Sequence, residues 1–500
     1  MTTAPTASYS VRDALRSPRL LTTEVLAGAV TTLALIPEVI SFSVIAGVDP
    51  KVSLIASVVL AISMTFLGGR PAMITAAAGA VALVVAPLVH THGVQYLLPT
   101  VLLAGLIQVV FGLVGLARIM RFIPRSVMIG FVNSLGILIF TAQLPHVFDV
   151  PTAVYPLFAL TLVVVLVLPR FTTAVPAPLI AIVLVTAIAI LGHLSVPTVG
   201  DQGAVAGGLP GITPLEVPLT LETLQLIAPT ALSVAFVGLM ETLLTAKLVD
   251  DLTDSRSSKS RESWALGVAN ILAGLWGGIA GCAMIGQTVM NVKLGRARTR
   301  ISTLIAGVLL LVLVTALSDL MEQIPMAALA AVMMVVAVST VDLRSVRPST
   351  LRRMPLSETF VMVTTVVVVV ITSNLAVGVA AGALLAVALF ARRVAHVTKV
   401  ERAAGEDRID YSVHGPLFFG SSNDLVEQFD YAADAAHLAG AESGGTVTVD
   451  FTAAQIWDAS TVAALDAVQA KYTEHGLEVA FTGLDERSTL FHGRLTGTLS

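Results

Sequence analysis

Charge is scarce in this chain. Only 12% of its 500 residues are Asp, Glu, Lys or Arg, against 55% hydrophobic, and the mean hydropathy is +0.88. That balance excludes a water-soluble protein for most of the length. A single cysteine, Cys282, excludes disulfides and cysteine-rich metal sites. The chain also lacks a nucleophile–base arrangement, metal-ligand spacing and a Gly-Lys-Ser phosphate loop, so no enzyme chemistry is indicated. No basic run suggests a nucleic-acid partner. The first twenty residues are polar, with Arg12, Arg16 and Arg19. No apolar stretch with a small-residue cleavage site comes after them, so they read as a cytoplasmic tail and not as a signal peptide.

What the chain has instead is apolar runs of spanning length. Fourteen segments are expected near 22–40, 52–67, 75–89, 97–117, 126–143, 153–169, 177–194, 228–247, 264–276, 283–294, 301–318, 326–340, 358–372 and 375–393. Positive charge tests the count. With both termini inside, residues such as Arg118, Arg121, Arg125, Arg170, Lys259, Arg296, Arg298, Arg300, Arg347 and Arg392 all fall in the cytoplasm, and Lys51 is the only Lys or Arg left outside. One missed helix would invert everything after it. The polar linker 249–263 divides the segments seven and seven, and because seven is odd the halves face opposite ways. The expected organisation is a tail over 1–20, a transmembrane domain over 21–395 (repeats 21–195 and 226–395), and a domain over 405–500. In that last part, strand patterns at 408–413, 446–451 and 477–484 alternate with a helix at 460–475, which implies a small α/β domain.

Two stretches stand out. Gly68-Gly69-Arg70-Pro71-Ala72-Met73-Ile74-Thr75-Ala76-Ala77 opens the third segment, and Gly277-Gly278-Ile279-Ala280-Gly281-Cys282-Ala283-Met284-Ile285-Gly286-Gln287 opens the tenth. Glycine and proline hold each beginning out of helical geometry, and the apolar remainder of each segment is too short to span. Paired interrupted helices in corresponding halves point to a midplane substrate site whose free N–H groups suit an anion. The competing reading is a pair of small-residue packing helices. Two carboxylates lie deep in apolar segments, where insertion costs ~2.5–3.5 kcal/mol and a functional role is the default. Glu38, with Phe42 one turn on along the same face, is in the first segment; Glu241, on a stripe with Ser233 and Thr245, is in the eighth. Gln287 and Asn291 would form a polar edge, Asn133 reads as a packing residue, His90 and His92 as solvated. Arg296, Arg298 and Arg300 read as topology determinants facing anionic lipid.

The residues Ile36-Pro37-Glu38 ahead of Ala46-Gly47-Val48-Asp49-Pro50, with Gly69-Arg70-Pro71, resemble the SulP/SLC26 anion transporters. The tail Gly415-Pro416-Leu417-Phe418-Phe419, with Asp458-Ala459-Ser460-Thr461 and Gly476-Leu477-Glu478-Val479, resembles their C-terminal STAS domain. The resemblance implies a core domain (segments 1–4 and 8–11) moving against a gate domain (5–7 and 12–14), elevator-like. It places the anion between the starts of segments 3 and 10, near Glu38, and a cation site at Glu241 and Thr245. It also suggests sulfate, bicarbonate, chloride or a small dicarboxylate such as fumarate as substrate. Many members carry Gln where Glu38 stands, and animal members carry an arginine near Gln287. Ala459-Ser460-Thr461 replaces a Ser-Ser-Gly of regulatory relatives, which weakens the case for phosphorylation of Ser460.

The expectation is therefore an α-helical membrane protein with a 7+7 inverted repeat plus a STAS domain, dimeric, in the inner membrane with both termini cytoplasmic. It would be a secondary transporter for a small anion, with a cytoplasmic partner open to the STAS domain. The substrate-site residues are Glu38, Phe42, Thr75, Ala76, Ala77, Ala283, Met284, Ile285, Gly286 and Gln287; the coupling-ion residues are Glu38, Glu241 and Thr245. An anion entering such a site meets carboxylates and no Lys or Arg, so a proton on Glu38 or a Na⁺ near Glu241 is expected to travel with it. No other cofactor is implied. A nucleobase–cation symporter, and a channel, exchanger or signalling receptor, are the alternatives.

Overall fold

The computed structural model describes residues 9–115, 123–171, 175–203, 205, 211–218, 220–395, 399–405, 407–439 and 446–496. Arg118, Arg121 and part of the 195–225 connection lie outside these residues. The chain forms two compact units, Met1–Ala383 and Leu384–Ser500.

Each expected apolar segment falls on a helical element. These are α1 (Pro18–Ala46), α2 (Pro50–Leu67), α3 (Gly79–His92), α4 (Leu97–Val114), α5 (Arg125–Ala142), α6 (Val154–Val167) and α7 (Ala177–Leu191) in the first half. In the second half they are α8 (Leu221–Thr253), α9 (Lys259–Leu275), α10 (Ile285–Val289), α11 (Arg300–Ala316), α12 (Met326–Thr340), α13 (Leu356–Thr372) and α14 (Leu375–Ala395). Six helices of the chain are long and apolar enough to cross a membrane, and six shorter apolar ones accompany them among the described residues. Prolines 18 and 50 sit at first-turn positions, where a missing N–H costs nothing. Gly47, left-handed at φ 72°, ends α1.

The third and tenth segments depart from expectation. Residues 75–77 and 281–283 do not begin helices; they form strands β1 (Thr75–Ala77) and β2 (Gly281–Ala283), paired antiparallel with Ala76 opposite Cys282. Helix starts only at Gly79 and Ile285, and α10 runs into a wide π turn over Met290–Leu294. The physical reason is backbone satisfaction. Two non-helical stretches inside an apolar body must pair their N–H and C=O groups with protein, and each other is the nearest partner. Gly281 permits the approach: a Cβ there would stand 2.2 Å from the Ala76 carbonyl oxygen.

The helices pack in two groups. One holds α1–α4 and α8–α11, with α4 against α9 the most extensive pair; the other holds α5–α7, α12 and α13. Gly105 of α4 and Gly267 of α9 face each other so closely that a Cβ on either would meet the other's carbonyl oxygen at 2.5–2.7 Å.

The C-terminal unit carries a four-stranded sheet, β3 (Lys399–Ala404), β4 (Arg408–Leu417), β5 (Thr446–Ile456) and β6 (Glu478–Thr482), in that order. β3 is antiparallel to β4; β4, β5 and β6 are parallel. Helices α15 (Ser422–Glu427), α16 (Tyr431–Leu438), α17 (Ala459–Glu474) and α18 (Glu486–Leu495) complete it. Tyr411, Val449, Phe451, Val462, Leu465 and Tyr472 are buried in its core. The edge strand β3 and helices α16 and α18 are additions to the sequence reading. β3 has one half-buried residue, Val400, among exposed ones, so it has no alternation to detect.

Candidate functional site

A cavity of about 350 Å³ lies between the two groups of helices. One wall is Glu38 and Phe42 of α1, Ala78 to Ala80 at the start of α3, Glu241 of α8, and Met284 to Gln287 at the start of α10. The other wall is mainly aliphatic and aromatic, from Phe131, Leu135 and Ile139 of α5 and Val336 of α12, joined by Ser339 and Thr340. No Lys or Arg is among these residues.

The structure therefore brings Glu38, Phe42, Met284, Ile285, Gly286, Gln287 and Glu241 to one cavity. It does not bring Thr75, Ala76, Ala77 or Ala283, which are buried within the strand pair behind it. Those four form the strand pair, and the first-turn positions of α3 and α10 line the cavity in their stead. Gly79, Ala80, Ile285, Gly286 and Gln287 occupy the positions whose N–H groups a helix leaves unused. A Cβ on Gly286 would meet nothing within 4 Å, whereas one on Gly79 would stand 2.7 Å from the ring of Phe42.

The two carboxylates have different partners. Gln287 lies beside the side chain of Glu38 in the cavity lining. Glu241 accepts from the Cys282 thiol at 2.9 Å. Thr245 does not point its proton at the Glu241 carboxylate: its hydroxyl donates to the Glu241 carbonyl oxygen at 2.8 Å and reaches that of Ala283 at 3.3 Å. Asn291 continues no polar edge from the site, since its amide donates to the Ala72 carbonyl oxygen and to Ser302, both at 2.9 Å. Asn133 bonds Ser345 and the Asp342 N–H, tying α5 to the turn after α12. His90 and His92 are exposed.

A ring of polar side chains that the sequence pattern does not announce holds the strand pair. Asn270 accepts from the Gly281 N–H at 2.8 Å and donates to the Gly281 carbonyl oxygen and to Gln108. Thr242 accepts from the Ala283 N–H, Thr288 from the Ile74 N–H and Ser57 from the Ala77 N–H, at 3.0–3.1 Å. Two further buried carboxylates are not singled out by the sequence pattern: Glu24, at the start of the first expected segment, and Glu262, in the polar linker. Glu24 accepts from the N–H groups of Arg298, Thr299 and Ser302 at the start of α11, and from Tyr9. Glu262 accepts from the N–H groups of Gly69 and Arg70. Both cap backbone and neither lines the cavity.

Two of the three arginines near α11, Arg298 and Arg300, differ from expectation. Arg300 donates to the carbonyl oxygens of Thr65 and Gly68, and Arg298 to those of Val292 and Ala297. They close helix ends and turns and are not spent on lipid.

The family model described as "Sulfate permease family" matches residues 21–160 and 148–365. The chain belongs to the sulfate permease family. A Bacillus subtilis relative, YbaR, which carries a sulfate-transporter name, is 48% identical over 465 residues, 93% of this chain and 95% of its own. Among solved structures, the transmembrane domain of a cyanobacterium bicarbonate transporter, BicA, matches with a TM-score of 0.64 at 25% identity, covering 73% of this chain and 97% of that one. The murine Solute Carrier 26 family member A9 anion transporter in the inward-facing state matches with a TM-score of 0.80 at 16% identity, covering 95% and 87%, a likeness of fold. This sulfate permease family member is thus a mostly helical multi-pass membrane protein, and its cavity lies where two packed bodies of that fold meet.

Proposed function

We propose that this protein is a secondary transporter for a small oxyanion such as sulfate or bicarbonate, with fumarate-like dicarboxylates in the same class, and not an enzyme. What carries the reading is the cavity itself: two interrupted helices present first-turn positions to one enclosed space, held by a hydrogen-bonded strand pair at the boundary of two helix groups. Backbone N–H groups bind an oxyanion without a fixed cation. The names of YbaR and BicA support sulfate and bicarbonate as the first anions to try.

In this reading the fourteen helical segments span the membrane as two inverted halves of seven, and α1–α4 with α8–α11 move against α5–α7 and α12–α14. Both termini face the cytoplasm of an inner membrane, the C-terminal unit is a STAS domain with a regulatory or assembly role, and the protein works as a dimer. Glu38 and Glu241 leave the cavity short of positive charge, so a proton, or a Na⁺ at Glu241, accompanies the anion. Gln287, beside Glu38, brings that carboxylate next to the element that holds the anion.

The test is uptake of labelled sulfate, bicarbonate and fumarate into proteoliposomes of the purified protein, with and without an inward proton or Na⁺ gradient. Concentrative uptake of one anion, driven by one gradient, is expected. Accumulation that only equilibrates would make the protein a channel, and competition by uracil or xanthine would make it a nucleobase symporter. Uptake indifferent to both gradients would overturn coupling.

A further inference from the structure

A second cavity, of about 500 Å³, lies apart from the anion cavity. Its walls are Leu26 and Val30 of α1, Pro176 at the start of α7, and Met290 and Leu294 of the π turn, with Arg296 at its rim. It is a mixed site: aliphatic inside and cationic at one edge. Leu26 and Leu294 are 58% and 68% exposed, so in a membrane protein the crevice opens toward acyl chains and not toward a sealed core.

Arg296 differs from its two neighbours. Arg298 and Arg300 spend their guanidinium groups on backbone carbonyl oxygens. Arg296 is exposed, and its side chain makes no hydrogen bond or ion pair among the described residues. Glu24 makes no ion pair with it: that carboxylate is fully buried and accepts from three backbone N–H groups and from Tyr9. The polar group on the α1 wall, the Thr23 hydroxyl, donates to the Arg19 carbonyl oxygen. The crevice therefore offers one unspent positive charge beside a lipid-sized aliphatic slot.

We infer that this crevice binds one anionic phospholipid, with its phosphate on Arg296 and an acyl chain between α1, the start of α7 and the π turn. The charge selects an anion; the aliphatic walls select a lipid over a free ion, which would leave most of the volume unfilled. One short stretch connects the crevice to the anion cavity. Met290 and Leu294 belong to Ile285–Leu294, whose other end supplies Gly286 and Gln287 to that cavity. A lipid seated there wedges α7 apart from the element that holds the anion, and so biases the movement of one helix group against the other.

The test uses full-length protein reconstituted in phosphatidylcholine containing a minority of phosphatidylglycerol, extracted gently and weighed intact by native mass spectrometry. One retained phosphatidylglycerol per chain is expected. Arg296→Gln should lower that retention about five-fold, the effect of the ~1 kcal/mol that one basic side chain contributes at an anionic surface. Leu26→Trp, which fills the slot and leaves Arg296 in place, should lower it as well. Thermal midpoints of both variants check that they fold. Retention unchanged in a folded Arg296→Gln protein would overturn the proposal. So would displacement of the lipid by excess inorganic phosphate, which would show an ion site without an acyl slot.

Discussion

Gly286 and Ala283 are three residues apart, one lining the cavity and the other within the strand pair. Ala283 is fully buried in β2, packed on Met73 and Ala246, with its N–H and C=O engaged by Thr242 and Thr245. Ala283→Trp should therefore overpack the strand pair and unfold it, costing ~1–3 kcal/mol or more. A Cβ on Gly286 meets open space. Gly286→Phe should fold within about 0.5 kcal/mol of wild type yet lower anion affinity at least about ten-fold, a loss of ~1.4 kcal/mol. Calorimetric binding and a melting curve on the same sample check both halves. The carboxylate makes a different prediction. Glu38→Gln keeps a polar side chain beside Gln287 but cannot exchange a proton, so it should bind anion and lose the response of uptake to external acidification. A variant with unchanged pH dependence would remove Glu38 as the proton carrier. Glu38 and Glu241 were legible in the sequence because a carboxylate in an apolar run is rare. Thr242, Ser57 and Asn270 were not, since Ser and Thr in helices usually bond their own backbone, as Thr31, Thr32 and Thr161 do here.

The short strands show what pattern reading loses. Thr75-Ala76-Ala77 has no alternation, and three residues are too few to carry any; only Gly-Gly and Pro71 announced that the helix was interrupted. What the stretch does was set by a partner some two hundred residues away. The C-terminal unit hides its key group in the same way. Asp434 is fully buried in α16, accepting from the hydroxyls of Tyr411 and Tyr472, each at 2.6 Å, and from Arg402 at 2.8 Å. Asp434→Ala would strand two buried phenols, at ~1–3 kcal/mol for each donor left unsatisfied, and would release the exposed Arg402 to water. In a unit of this size that lowers the melting temperature by on the order of 12 °C or more, readable by scanning calorimetry. Burial first, and the hydrogen bond to Asp434 second, push both tyrosines above the usual phenol range. An unfolded tyrosine ionises near pH ~10. The folded state therefore holds its protons longer, and this stabilisation is complete below that pH and lost as the pH rises further. A wild-type melting temperature that does not fall from neutral to strongly alkaline pH would contradict the network.

Apolar runs made the membrane part legible, because each expected segment falls on a helical element among the described residues. The division of the chain was less so. Contacts separate the two units between Ala383 and Leu384, inside α14, although the composition changes only after Lys399. A helix is continuous in hydrogen bonding even where its packing neighbours change, so sequence marks its end and not that boundary. This decides where a truncation must fall. Every residue lining the anion cavity precedes Val341, and the carboxylates, the strand pair and its polar ring all lie before Ser345. A chain ending at Ala395 keeps α14 whole, at 21 residues long enough to cross the ~30 Å apolar layer. It also keeps Gly378 and Gly382 packed on Val369 and Thr365. It should insert, fold and bind the transported anion within about three-fold of the full-length affinity, ~0.6 kcal/mol, with any deficit confined to turnover. A chain ending at Ala383 cuts that helix within the membrane and should not insert stably. Binding by the purified Ala395 truncation, measured against the intact protein, checks the division of labour: a folded truncation without anion binding would place part of the site in the C-terminal unit.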